Sequence, residues 1–159
     1  NLTSAGFAAT FYIQGAGLIG ILLGGRLADI WAQKNDRARV ITQIIGLFAA
    51  APFLILSGFA DTPLLLYVAL VVFGLGRGVY DSNIMPVLCR LVTDSQRATG
   101  YGILNFVGTF VSGIAVFLGG VVKSTIGLAG VLEIAGVILF LAAFFLYRVP
   151  QKISVKANV

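Results

Sequence analysis

The sequence predicts an all-α fold: a polytopic membrane helix bundle with five transmembrane helices. Three observations predict it. Hydrophobic residues make up 58% of the chain and charged residues only 11%, against roughly a quarter charged in soluble domains, and the mean hydropathy is +1.00. Apolar runs of about 20 residues, the length a helix needs to cross a bilayer core of about 30 Å, recur five times. Lysine and arginine are confined almost entirely to alternate links between these runs. Although 159 residues could enclose a soluble core, so little charge could not cover a soluble surface.

The spans lie at about residues 6–25, 40–59, 64–88, 101–122 and 128–147 and form a single membrane domain, residues 1–159. The first runs from Gly6 until Arg26 halts it. The second, from Val40 to Phe59, contains Pro52; the third, from Leu64 to Leu88, contains Pro86, and both prolines remove a helical hydrogen bond where they fall. The fourth spans Tyr101 to Val122 and the fifth Leu128 to Tyr147. Helices are required because a lipid-exposed backbone has to satisfy its own hydrogen bonds, and the runs do not alternate as barrel strands do. Gly20 with Gly24, and Gly74 with Gly78, are spaced to let helices approach closely. Trp31, Tyr67 and Tyr147 suit interfacial anchors.

The links set the orientation. Arg26, Lys34, Arg37 and Arg39 fall between spans one and two, Arg90 and Arg97 between three and four, and Arg148, Lys152 and Lys156 in the tail; the other two links hold only Lys123. Retention of basic residues in the cytoplasm predicts a cytoplasmic C-terminus and an external Asn1. An odd number of spans starting outside, and a first residue that is not methionine, lead to the expectation that a preceding segment completes the protein.

Several function classes are disfavoured. The basic residues are dispersed rather than gathered with aromatics on one face, which argues against a nucleic-acid partner. A lone Cys89 and no histidine leave no multi-cysteine metal site, no His-based catalytic arrangement and no nucleophile–base pair, so no enzyme activity, metal or other cofactor is expected. The stretch GAGLIG at residues 15–20 has dinucleotide-fingerprint spacing, but it lies inside a span and lacks the strand that such a site needs.

Within the spans, charge is costly, so the few polar residues carry the functional expectation. Arg77 sits mid-span with Asp81 one turn further along the same helical face. Two readings stand: an internal bridge that lets the helix insert, or a substrate site in which the guanidinium grips an anion bidentately and Asp81 orients or balances it. Tyr80, Asn83, Asn105 and Gln14 are further candidate substrate ligands, each also able to serve as an ordinary interhelical hydrogen-bonding group. Glu133, in the last span, could titrate or simply contact a neighbouring helix.

The link GGRLADIWAQKNDRARV resembles the signature loop of the major facilitator superfamily, approximately G-x-L-A-D-x-x-G-R-(R/K). Gly25, Leu27, Ala28 and Asp29 match; Ala32 and Gln33 replace the second glycine and the arginine, and Arg37 and Arg39 come late. LCRLVTDSQRATGYGILNFVG resembles the link between helices ten and eleven in the organic-anion branch, which includes sugar-phosphate and hexuronate carriers. The resemblance implies that the chain supplies helices eight to twelve, most of a C-terminal half, with helices two to six as the alternative register. It also implies a secondary transporter of a small organic anion, such as a sugar acid, working by alternating access. The implied partners are the lipid bilayer, a missing N-terminal half, a small-molecule substrate and a coupling proton or sodium ion, and the implied location is a bacterial inner membrane. Gly25, Arg26, Asp29, Arg37 and Arg39 would form its gating loop. A non-transporting receptor or scaffold with the same fold, in which Arg77 and Asp81 form a structural bridge, is the other reading.

Overall fold

The computed structural model describes residues 2–148, and among them the chain is wholly helical in its regular structure. Five α-helices follow one another: α1 (Leu2–Ala32), α2 (Ala38–Gly58), α3 (Pro63–Asp81), α4 (Ile84–Leu91) and α5 (Arg97–Arg148), with a single 3-10 turn, Asp94–Gln96, before α5. Lys152 and Lys156, two of the tail residues used for orientation, lie outside the described residues.

Helix α1 overruns the expected end of span one by seven residues. Nothing after Gly25 forbids a helix until Asn35, whose side chain accepts from Arg37 N while Lys34 N and Asn35 N both bond back to Trp31 O. Gly25, Arg26 and Asp29 are therefore helical, Arg37 is the N-cap of α2, and Arg39 lies in its first turn; the expected gating loop shrinks to a turn at residues 33–37. Helix α3 begins in the usual way, with Pro63 in the first turn and the Thr62 hydroxyl accepting from Leu65 N.

The third span is not one continuous helix. Pro86 has no N–H for the carbonyl of Ser82, and its ring would strike that carbonyl in an unbroken helix; the chain accordingly turns at Ser82–Asn83 and restarts as α4. Pro52 causes no such break in α2. The fourth and fifth expected spans appear as the two arms of α5, residues 97–126 and 128–148, which meet at Gly127 with φ 76° and ψ 176°. Only glycine adopts that conformation without strain. Since an added Cβ would meet nothing within 4 Å there, the backbone alone is at stake. Gly127→Ala is expected to cost about 1–3 kcal/mol, seen as a lower melting temperature of the purified protein in detergent.

The bundle is ordered by its glycines. Helices α1 and α3 run parallel, touching at Gly17, Gly20 and Gly24 on one side and Gly74 and Gly78 on the other. Helices α2 and α3 run antiparallel, and Gly46 faces Gly76: a Cβ on either would come 2.6 Å from the other's carbonyl oxygen. The 128–148 arm lies antiparallel on α2, with Glu133 and Ala129 against Gly58, Gly136 against Ile55, and the Phe48 and Phe140 rings edge to face at 5.3 Å. Helix α2 is thus the most buried, flanked by α3 and this arm. Its hydroxyls are satisfied on their own helix, Thr42 donating to Ala38 O and Ser57 to Leu54 O, as lipid-embedded helices require. The 97–126 arm is different: residues 101–118 are all exposed, and a Cβ added at its glycines would meet only Leu88 and Val92, at Gly100, and Val131, at Gly119.

Candidate functional site

Glycines that pull α1 and α3 together also create a groove beside their contact. Its α1 wall is Ile13, Gln14, Gly17, Leu18 and Ile21, spaced at helical intervals of three and four; its α3 wall is Arg77, Gly78 and Asp81. The volume is about 220 Å³, smaller than the roughly 300–1,000 Å³ typical of drug-sized sites and suited to a small metabolite. Because Gly17 and Gly78 carry no side chains, the floor of the groove is backbone, and the polar side chains are Gln14, Arg77 and Asp81.

Arg77 lies midway along the hydrophobic segment Pro63–Leu91. Its Nε approaches Asp81 Oδ2 at 3.4 Å, and the two side chains keep 52% and 35% of their exposure. This contact is looser than the 2.7 Å pair between Arg39 and Asp29 at the end of the bundle. It also has the less favourable polarity: the cation precedes the acid along the helix, and Asp81 is the last residue of α3, where the negative end of the helix dipole disfavours an anion. The guanidinium is consequently held weakly.

Three of the six expected substrate ligands, Gln14, Arg77 and Asp81, meet in this groove; the other three do not line it. Tyr80 is half-buried next to Asp81. Asn83 is fully buried at the α3–α4 break, its Nδ2 donating to Val79 O and Ser82 Oγ, and among the described residues its Oδ1 has no partner. Asn105 lies on the exposed 97–126 arm, where it lines a separate open recess with Phe106, Thr109 and Phe110. Asn105 is therefore not brought to Asp81, because residues 101–118 of that arm are exposed and stand away from α3.

At the basic end of the bundle, Arg39 Nη2 donates to Asp29 Oδ1 at 2.7 Å, joining the last turns of α1 to the start of α2. Arg90 of α4 donates to the Asp36 carbonyl in the intervening turn, which draws the α4–α5 connection to the same end. Arg97 pairs with Asp94 at 2.7 Å. Sequence reading missed the Arg90 contact; a lone arginine after an apolar run gave no sign of a partner 54 residues away in the chain. It also missed the Gly46–Gly76 approach, since Gly46 has no second glycine four residues away in α2 to mark it.

Compared with known proteins, the chain matches the family model described as Major Facilitator Superfamily over residues 1–158. No solved structure matches it.

Proposed function

The chain belongs to the major facilitator superfamily, a family of membrane transporters, and from that premise we propose that it carries a small organic anion, of the sugar-acid kind, by alternating access. The single observation that supports the anion is the groove in which Arg77, loosely held by Asp81, faces Gln14 across a floor of glycine backbone. Guanidinium matches a carboxylate with two parallel hydrogen bonds, and Gln14 can bond hydroxyls. Apolar Ile13, Leu18 and Ile21 around them lower the local dielectric and strengthen that grip. Uptake of labelled glucuronate by the reconstituted protein and by its Arg77→Ala and Arg77→Lys variants tests this. Unchanged uptake in the alanine variant would remove Arg77 from substrate binding.

The protein is an integral membrane protein, and the positive-inside argument makes its basic end, with Arg26, Arg37, Arg39 and Arg90, the cytoplasmic one. A bacterial inner membrane is the proposed setting, and helices eight to twelve the proposed register. In this reading Asp29 and Arg39 form a latch that holds one conformer and opens in the other. The Asp29 side chain is 63% exposed, and surface pairs of this kind contribute about 0–1 kcal/mol, weak enough to make and break in each cycle. Asp29→Asn is therefore expected to change the transport rate while shifting the melting temperature by no more than about 4 °C. A rate equal to wild type would reduce the pair to a topological marker.

A further inference from the structure

We propose that the basic end of α1 and the turn after it hold an anionic phospholipid, its phosphate among Arg26, Lys34 and Arg37 and its acyl chains along the face of α1 turned away from α3. The site is separate from the Arg77 groove and does not depend on what the protein carries. Cations at this end fall into two sets. Arg39 is paired with Asp29 and Arg97 with Asp94, and Arg90 donates to the Asp36 carbonyl. Among the described residues, the side chains of Arg26, Lys34 and Arg37 make no hydrogen bond or ion pair. All three are exposed and fall in one short stretch, the last turns of α1 and the turn at residues 33–37. Asp29 is committed to Arg39, so the acid left to face them is Asp36, and three cations stand against one carboxylate.

Helical spacing then indicates what covers Arg26. Gly20, Gly24 and Ala28 are buried, the two glycines against α3. Arg26 lies on the opposite side of the helix, three, four or seven residues from Ile19, Leu22, Leu23 and Ile30, all of them exposed. It falls inside the apolar segment Ala9–Ala32, about 9 Å short of its end. Side chains lean toward the N-terminus of their helix, which here points away from the basic end, so the guanidinium is directed back toward hydrocarbon, where charge is costly. Lys34 and Arg37 stand beyond that segment, at the level of headgroups. An anionic lipid answers both parts of this surface at once. Its phosphate can take two parallel hydrogen bonds from Arg26, and its chains cover the apolar stripe, which free phosphate or an acidic peptide would leave open. Basic residues beside a membrane-spanning helix attract acidic headgroups in this way.

Trp31, the only tryptophan of the chain, lies between Arg26 and Lys34 and is exposed, which provides a local readout. The protein is reconstituted in phosphatidylcholine vesicles that carry, as the minor component, phosphatidylglycerol or phosphatidylcholine with brominated chains, since bromine quenches tryptophan on contact. Brominated phosphatidylglycerol is expected to quench Trp31 beyond its share of the lipid, and brominated phosphatidylcholine only in proportion to it. Arg26→Ala, Lys34→Ala and Arg37→Ala should each lower this preference by up to about fivefold, the equivalent of about 1 kcal/mol, and the three together should remove it. Because the triple variant could be lost to misfolding, a second measurement uses wild type alone: at an ionic strength of about 1 M, where charges are screened within about 3 Å, the preference should shrink. Equal quenching by the two brominated lipids in wild type would overturn the proposal. So would a preference that survives the triple substitution, or one untouched by salt. Equal quenching together with a shift of Trp31 emission on adding soluble poly-glutamate would give this face to an acidic protein instead.

Discussion

Gly78→Ala is expected to lower the melting temperature of the detergent-solubilised protein markedly, and Gly78→Leu to abolish the folded species. An added Cβ at this position would run into the Gly17 carbonyl of α1, and the nitrogen of Ile21 lies 2.9 Å away. These obstacles are backbone, so no side-chain rotation relieves them, and α1 would have to move outward as a body. A Cβ added at Gly20 would meet the Leu75 carbonyl from the other side, and one added at Gly24 would come 2.6 Å from the Val79 Cα; one displaced contact loosens the whole seam. In lipid there is no hydrophobic force to reunite the helices, because their association rests on close packing and the weak interactions it permits. Overpacking by a methyl costs about 1–3 kcal/mol, and each kcal/mol shifts the melting temperature by about 2–4 °C in a chain of this size. Gly102→Ala and Gly113→Ala, where an added Cβ meets nothing within 4 Å, provide the comparison. Equal effects at Gly78 and Gly113 would show that the α1–α3 contact does not hold the bundle together.

How far such features could be read in advance depended on whether their cause was local. Apolar length is a local property, so the long apolar helices themselves were legible in the sequence. Pro86 and Gly127 each announce a break by their own backbone chemistry, although the proline acts four residues earlier, at the Ser82 carbonyl, which is why the third span looked continuous. The extension of α1 through Arg26 and Asp29 was hidden because charge was taken to end the helix, whereas charge only ends the membrane-embedded part of it. Spacing within one helix identified Gly20, Gly24, Gly74 and Gly78 as contact residues but could not name the facing partner. Helical periodicity likewise put Arg77 and Asp81 on one face. It was silent on Asn105, since depth along an axis carries no information about which way the 97–126 arm leans, and on the burial of Asn83, which follows from the turn that Pro86 enforces.

Arg77→Ala is expected to reduce both transport and yield, and the double variant Arg77→Ala/Asp81→Ala to recover the yield alone. Removing the arginine strands Asp81 as an unpaired carboxylate within a hydrophobic segment, a defect of a few kcal/mol at mid-membrane, moderated here because the Asp81 side chain keeps 35% of its exposure. Removing both charges repairs that defect, as replacement of ion pairs by apolar residues generally does. Substrate binding obeys a different account. Truncating one partner of a hydrogen-bonded charge pair costs about 2–5 kcal/mol, which is a loss of affinity of about 30-fold to several thousand-fold, and the double variant restores no cation. Arg77→Lys should fall between, keeping the charge and losing the two-pronged geometry. A purely structural bridge makes the opposite forecast: the double variant would transport as well as it folds, and the reciprocal exchange Arg77→Asp/Asp81→Arg would do the same. Uptake and folded yield measured side by side on these variants separate the two, because a bridge needs only that opposite charges lie four residues apart, whereas a substrate clamp needs the guanidinium at residue 77, facing Gln14.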